Sequence, residues 1–140
     1  MFKKIKEHWK EARGINLQNE YLDLTTRLNN FSDDMIQRSL YYAAKSYVSF
    51  ENHQKVDPSY RDDVITDKKK VKYAKSIMLA ARSQYDRDVC VGHGLALFSM
   101  WLESQTLPGQ QARYVEMQAS DLLQSGLKIY EREHLDSVGG

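Results

Sequence analysis

Apolar residues recur every three or four positions along most of this chain, which is the spacing of a helix with one buried face. The helical stripes run over Leu17–Phe31, Ile36–Phe50, Val71–Val89 and Ala112–Ile129. Strand-like alternation is not apparent, and only two prolines interrupt 140 residues. The pattern predicts an all-α fold, an antiparallel bundle of four to five helices in a single domain of residues 1–140.

A shorter stripe of Phe2, Ile5 and Trp9 precedes the first long one and is out of register with it. The step from Ala12 to Leu17 turns a helix by about 140° beyond a whole turn. Either the helix breaks near Gly14, or the two stripes face different partners. Residues 1–13 are therefore predicted to be an amphipathic segment that can form a separate arm. We also predict a loop over residues 51–66 and a frayed tail over residues 135–140.

The run "LALFSMWL", residues 95–102, is apolar on every side of a helix. Such a helix lies either at the centre of its own core or under a second chain. Aromatic side chains are enriched in interface cores, which favours self-association as a homodimer. The predicted interface consists of Phe2, Ile5, Trp9, Leu95, Phe98, Trp101 and Leu102. A wholly internal core helix is the alternative.

Just before this run, two glycines flank a histidine at Gly92-His93-Gly94. Glycine costs about 1 kcal/mol relative to alanine inside a helix, which favours a break here. The apolar stripe nevertheless continues in register from Val89 to Met100, as a single long helix would require. The break is the favoured interpretation.

Cys90 and His93 are the first candidates for a catalytic or metal-binding site. A zinc site needs four ligands, and Cys90-x-x-His93 supplies at most two of them. The sequence contains no second cysteine, and no second pair of this kind. A nucleophilic thiol needs a base and an oxyanion site, and the sequence identifies no oxyanion site. We expect no metal or cofactor and interpret the pair as bystanders at a joint. An enzyme or metal protein centred on Cys90 and His93 stays as an alternative.

The formal net charge is only +1, so overall charge does not predict a nucleic-acid partner. Basic residues nevertheless cluster along one predicted helix, at Lys68, Lys69, Lys72, Lys75 and Arg82. Binding of nucleic-acid phosphates by this face is the second functional hypothesis. A solvated helix face is the simpler explanation.

A single cysteine cannot form an intrachain disulfide, and no apolar stretch is long enough to predict a membrane span. The basic N-terminal residues have no apolar stretch behind them, unlike a secretory signal. The expected compartment is the cytoplasm. The leading hypothesis is a small non-catalytic helical protein that acts by binding another protein, most simply a second copy of itself.

Overall fold

The structure is a computed structural model that describes the backbone of residues 2–56 and 66–139 and the side chains of residues 7–56 and 66–135. The helices are α1 (Phe2–Asn29), α2 (Asp33–Val56), α3 (Asp67–Gln84), α4 (Val89–Ser104) and α5 (Gln110–Gly139). The predicted all-α bundle is confirmed. None of the described helices is long and apolar enough to cross a membrane.

Side-chain caps set where three of the helices begin. The Ser32 hydroxyl accepts a hydrogen bond from the Met35 N–H at 3.3 Å, and Thr66 accepts from Lys69 at the same distance. Asp88 caps α4 by accepting from the N–H groups of Cys90 and Val91 at 3.2 and 3.4 Å. Each cap satisfies backbone donors that the first turn of a helix leaves unpaired.

The observed helix bounds refine the expected boundaries. α1 passes through Gly14 without a break, which is one of the two alternatives left open at this position. The predicted loop over residues 51–66 begins later, because α2 continues to Val56, and residues 57–65 lie outside the described chain. The tail predicted to fray is helical as far as Gly139.

The break predicted at Gly92-His93-Gly94 lies earlier, between Gln84 and Val89, so both glycines belong to α4. Gly94 is required there by close packing of α2 on α4. A Cβ at this position would lie 2.5 Å from the Ser39 carbonyl oxygen and 2.8 Å from the Ala43 nitrogen. Only glycine fits, because real Cβ atoms do not approach other atoms so closely.

α4 is the central helix, and α1, α2, α3 and α5 all pack against it. It joins two groups of buried side chains. Leu97 and Met100 belong to a large core shared with α1 and α5, whereas Phe98 and Leu102 pack with Phe50 in a second, aromatic core. The protein's own helices therefore cover the apolar run of residues 95–102.

α1 and α3 both run antiparallel to α4. Arg13 meets Glu103 near the end of α4, and Phe31 meets His93 near its start. In α3, Ala74 accepts a hydrogen bond from the Ser99 hydroxyl, and Tyr85 packs on His93. α1 and α3 are consequently parallel to each other and lie side by side on α4. This arrangement leaves a groove between them.

Candidate functional site

The α1–α3 groove consists of two adjoining clefts of about 540 and 390 Å³. Both clefts are lined by Arg13, Lys75 and Glu103, which therefore stand where the clefts meet. α1 and α3 form the walls, and Ser99 and Glu103 of α4 form part of the floor. The groove exists because both walls pack on α4 rather than on one another.

Each wall presents a large exposed apolar side chain. Trp9 on α1 is 73% exposed, and Leu79 on α3 is 66% exposed. Val71 and Met78 lie half-buried along the α3 wall. Exposed apolar surface beside a concave cleft is typical of a binding site and unfavourable in contact with water.

Basic side chains follow the α3 wall. Lys68 lines the first cleft, Lys75 both and Arg82 the second, and the three are seven residues apart. A separation of seven residues is close to two helical turns, so all three share one face. They form no ion pair within the part of the chain that the structure describes.

The predicted basic set is therefore divided. Lys68, Lys75 and Arg82 line the groove, whereas Lys69 and Lys72 do not. Lys72 is exposed on α3 beside the groove and lines neither cleft. The sequence contained a signal for this division, since only the groove residues follow the seven-residue spacing.

An ion-pair network anchors the α1 wall to the floor. The Arg13 guanidinium donates to both carboxylate oxygens of Glu103, at 2.7 and 2.8 Å, and to Glu20 at 3.1 and 3.3 Å. Glu103 is only 8% exposed. The hydrogen bonds that Arg13 donates to Glu103 raise the pKa of Arg13 above its ordinary value. Sequence analysis missed this network because its partners are 90 residues apart.

The predicted interface residues do not form one surface. Phe98 and Leu102 are buried inside the chain and therefore not on its surface, whereas Leu95 and Trp101 are half-buried. Trp9 is exposed and lines the groove. Phe2 and Ile5 belong to α1, but their side chains lie outside the described residues.

Cys90 and His93 both lie in the interior and line neither cleft of the groove. The Cys90 thiol donates to the Met35 carbonyl at 3.6 Å. The histidine ring packs edge-on against Phe31 and Tyr85, with centroids 4.9 and 5.0 Å away. Both side chains serve the packing of α4 against its neighbours.

The two ring nitrogens of His93 differ in their surroundings. Nδ1 lies 2.7 Å from the Val89 carbonyl oxygen, and since a carbonyl only accepts, Nδ1 carries the hydrogen. Nε2 is buried and has no hydrogen-bond partner among the described residues. Burial lowers the pKa of His93, because a proton on Nε2 would be a buried charge with no acceptor.

No group of three or more His, Cys, Asp or Glu residues suitable for a metal ion occurs among the described residues. Comparison of the chain with models of known protein families, with curated proteins and with solved structures gave no match.

Proposed function

We propose that this is a non-catalytic binding protein whose α1–α3 groove receives a helical segment of a partner protein. The observation that carries the proposal is the groove itself, an open channel between two parallel helices with an exposed apolar side chain on each wall. An amphipathic helix that lays its apolar face into such a groove is a recurring mode of peptide recognition.

The dimensions favour a helix over a small molecule. Each cleft alone has the volume of a typical small-molecule pocket. The two clefts adjoin, however, and the α3 wall from Lys68 to Arg82 spans about 21 Å at 1.5 Å per residue. About four turns of a partner helix would fill this length.

Residues 95–102 do not require cover from a second chain, because the protein's own helices pack around them. A second copy is now an alternative occupant of the groove. Sedimentation of the purified protein separates the two cases, because a partner-binding protein of this kind should run as a 16.3 kDa monomer.

The nucleic-acid hypothesis loses support because only three of its five basic residues line the groove. The groove that takes three of them also contains Glu20, Glu103 and Asp67. Its apolar walls offer nothing specific to phosphates. Cytoplasmic location is part of the proposal and rests on the sequence argument alone.

Selection from a displayed library of helical peptides, with the purified protein as bait, tests the proposal. We expect enriched peptides whose affinity falls at least about tenfold on Trp9→Ser or Leu79→Ser, as loss of a buried apolar contact predicts. Met117→Ser is the matched control, since Met117 is also 66% exposed but lies on α5 outside the groove.

Any of four results would overturn the proposal. The library yields no binder, or the three serine variants weaken binding equally. A dimer that Leu79→Ser dissociates would assign the groove to a second copy. Tight, strongly salt-dependent binding of single-stranded RNA that Trp9→Ser leaves unchanged would favour the nucleic-acid hypothesis instead.

A further inference from the structure

We infer that the partner helix carries carboxylates seven residues apart, beside its apolar face, and belongs to a protein other than this one. The inference rests on the proposed function, and concerns the chemistry by which the groove selects its occupant. It follows from the order of charged and apolar residues along the α3 wall.

The α3 wall repeats every seven residues. The basic residues Lys68, Lys75 and Arg82 alternate with the apolar Val71 and Met78, each three positions after a lysine. Helices that pair along their length use this arrangement, with an apolar seam flanked by charges that choose the partner. Successive cations stand about 10.5 Å apart along the helix axis.

Among the described residues these three cations have no ion-pair partner, whereas Arg13 on the opposite wall is committed to two carboxylates and Lys10 is the other cation of that wall. Arg13 is held by Glu103 and Glu20 at hydrogen-bond distance. Lys68, Lys75 and Arg82 form no ion pair within the described residues. A helix with carboxylates at the matching spacing would form an ion pair with each of these three cations. A neutral or basic helix would form none.

The groove is not uniformly basic along its length. Asp67 lines the first cleft beside Lys68, so that end carries an opposing charge. Lys75 and Arg82 line the second cleft, where Arg13 engages both acidic residues, Glu20 and Glu103. The order of importance for an acidic helix should therefore be Lys75 and Arg82 first, then Lys68.

A second copy of this chain does not have the complementary pattern. Among its 19 Asp and Glu residues, no two are seven positions apart. None of its own helices therefore offers carboxylates at the spacing of Lys68, Lys75 and Arg82. This absence in the sequence, together with the charge of the groove, points to a different protein as the occupant.

Two designed helical peptides of identical composition test the inference. The spaced peptide carries three glutamates at seven-residue intervals beside an apolar seam, and the displaced peptide carries them on the opposite face. We expect the spaced peptide to bind about tenfold more tightly by fluorescence anisotropy, a difference that two or three exposed ion pairs can supply. The preference should shrink as salt is raised.

Charge reversal supplies the matched controls. Lys75→Glu and Arg82→Glu should abolish the preference for the spaced peptide, and a third peptide with lysines at the same positions should then bind these variants better than the wild type. Lys68→Glu should have a smaller effect. Lys72→Glu makes the same change at an exposed position of the same helix that lines neither cleft, and should have a much smaller effect than Lys75→Glu.

The outcomes separate this inference from the proposed function. If both peptides bind equally and Trp9→Ser weakens both, the groove binds helices without reading charge, and only the inference fails. If Lys72→Glu is as harmful as Lys75→Glu, attraction is general and the spacing is irrelevant. If neither peptide binds and the displayed library also yields nothing, the proposed function fails as well.

Discussion

The two ring nitrogens of His93 lie in different environments, which favours the neutral tautomer with its hydrogen on Nδ1. Nδ1 donates to the Val89 carbonyl, whereas Nε2 is buried and no described residue offers it an acceptor for a second hydrogen. Protonation of the folded protein therefore costs more than protonation of the unfolded chain. Burial lowers the pKa of His93 from its ordinary 6.5 for this reason.

The sign of the pH dependence follows. Below about pH 6.5 the unfolded chain binds a proton that folded His93 does not, so stability falls as pH decreases from the ordinary pKa towards the folded one, by at most about 1.4 kcal/mol per pH unit. Urea unfolding at pH 7.5 and 5.5 measures the loss. His93→Phe should reduce it, whereas the exposed control His8→Gln should not. Equal losses in all three proteins would contradict the assignment to His93.

Two glycines in helices should respond oppositely to alanine. At Gly94 the added methyl group would strike the backbone of α2, so we expect Gly94→Ala to destabilise the protein by about 1–3 kcal/mol. At Gly14 the nearest atom is the Pro108 carbonyl oxygen at an ordinary 3.6 Å, so Gly14→Ala should stabilise by about 0.5–1 kcal/mol. Thermal unfolding checks both. A destabilised Gly14→Ala would mean that α1 does not pass through this position as a regular helix.

At the scale of the elements, α1 is both a core helix and a wall of the groove. Leu17, Leu24 and Leu28 bury its later half, whereas residues 7–12 are exposed. The mismatch between the two apolar stripes predicted that the two parts of α1 have different environments. It did not predict whether the helix would break between them. The helix does not break at Gly14; it continues beyond the core, and Trp9 is left on the groove.

Arg13 joins these two parts of α1 to α4. Removing Arg13 would leave the nearly buried Glu103 carboxylate without its bidentate partner, so Arg13→Met should cost about 1–3 kcal/mol. The double variant Arg13→Met with Glu103→Leu should recover most of this loss, because no charge is then left unpaired. Urea unfolding of both single variants and the double variant measures the coupling. Additive losses would show that the two residues do not act as a pair.

The start of α4 illustrates what local sequence reasoning could and could not provide. The low helix propensity of glycine predicted a break at Gly92-His93-Gly94. The helix instead starts at Val89, where Asp88 caps it, and Gly94 lies inside the helix at a close contact with α2. Asp88 was a readable capping signal. The packing role of Gly94 was not, since it depends on Ser39 and Ala43 of α2, which are remote in sequence. The groove could not be predicted from the sequence for the same reason. It depends on how α1 and α3, which are distant in sequence, pack against α4.

At the scale of the molecule, the apolar character of α4 is explained by its central position. An outer helix of a bundle needs one apolar face, whereas α4 meets four neighbours and needs apolar residues all round. The sequence posed the correct alternatives, cover by a second chain or by its own. The choice required knowing that α1, α2, α3 and α5 surround this helix.

Since α4 contributes to both cores, the domain should unfold as one unit. Phe98 is 0% exposed and packs against Phe50, Tyr73 and Trp101. Truncation in such a site costs about 3–5 kcal/mol, so Phe98→Ala should lower stability by this amount while the transition stays single. Met117→Ala, on the exposed face of α5, should stay within about 0.5 kcal/mol of the wild type. Fluorescence and circular dichroism followed in the same urea titration decide the matter. If the tryptophan signal of Phe98→Ala changes before the helical signal, the aromatic core unfolds separately, and α4 does not unite the two cores.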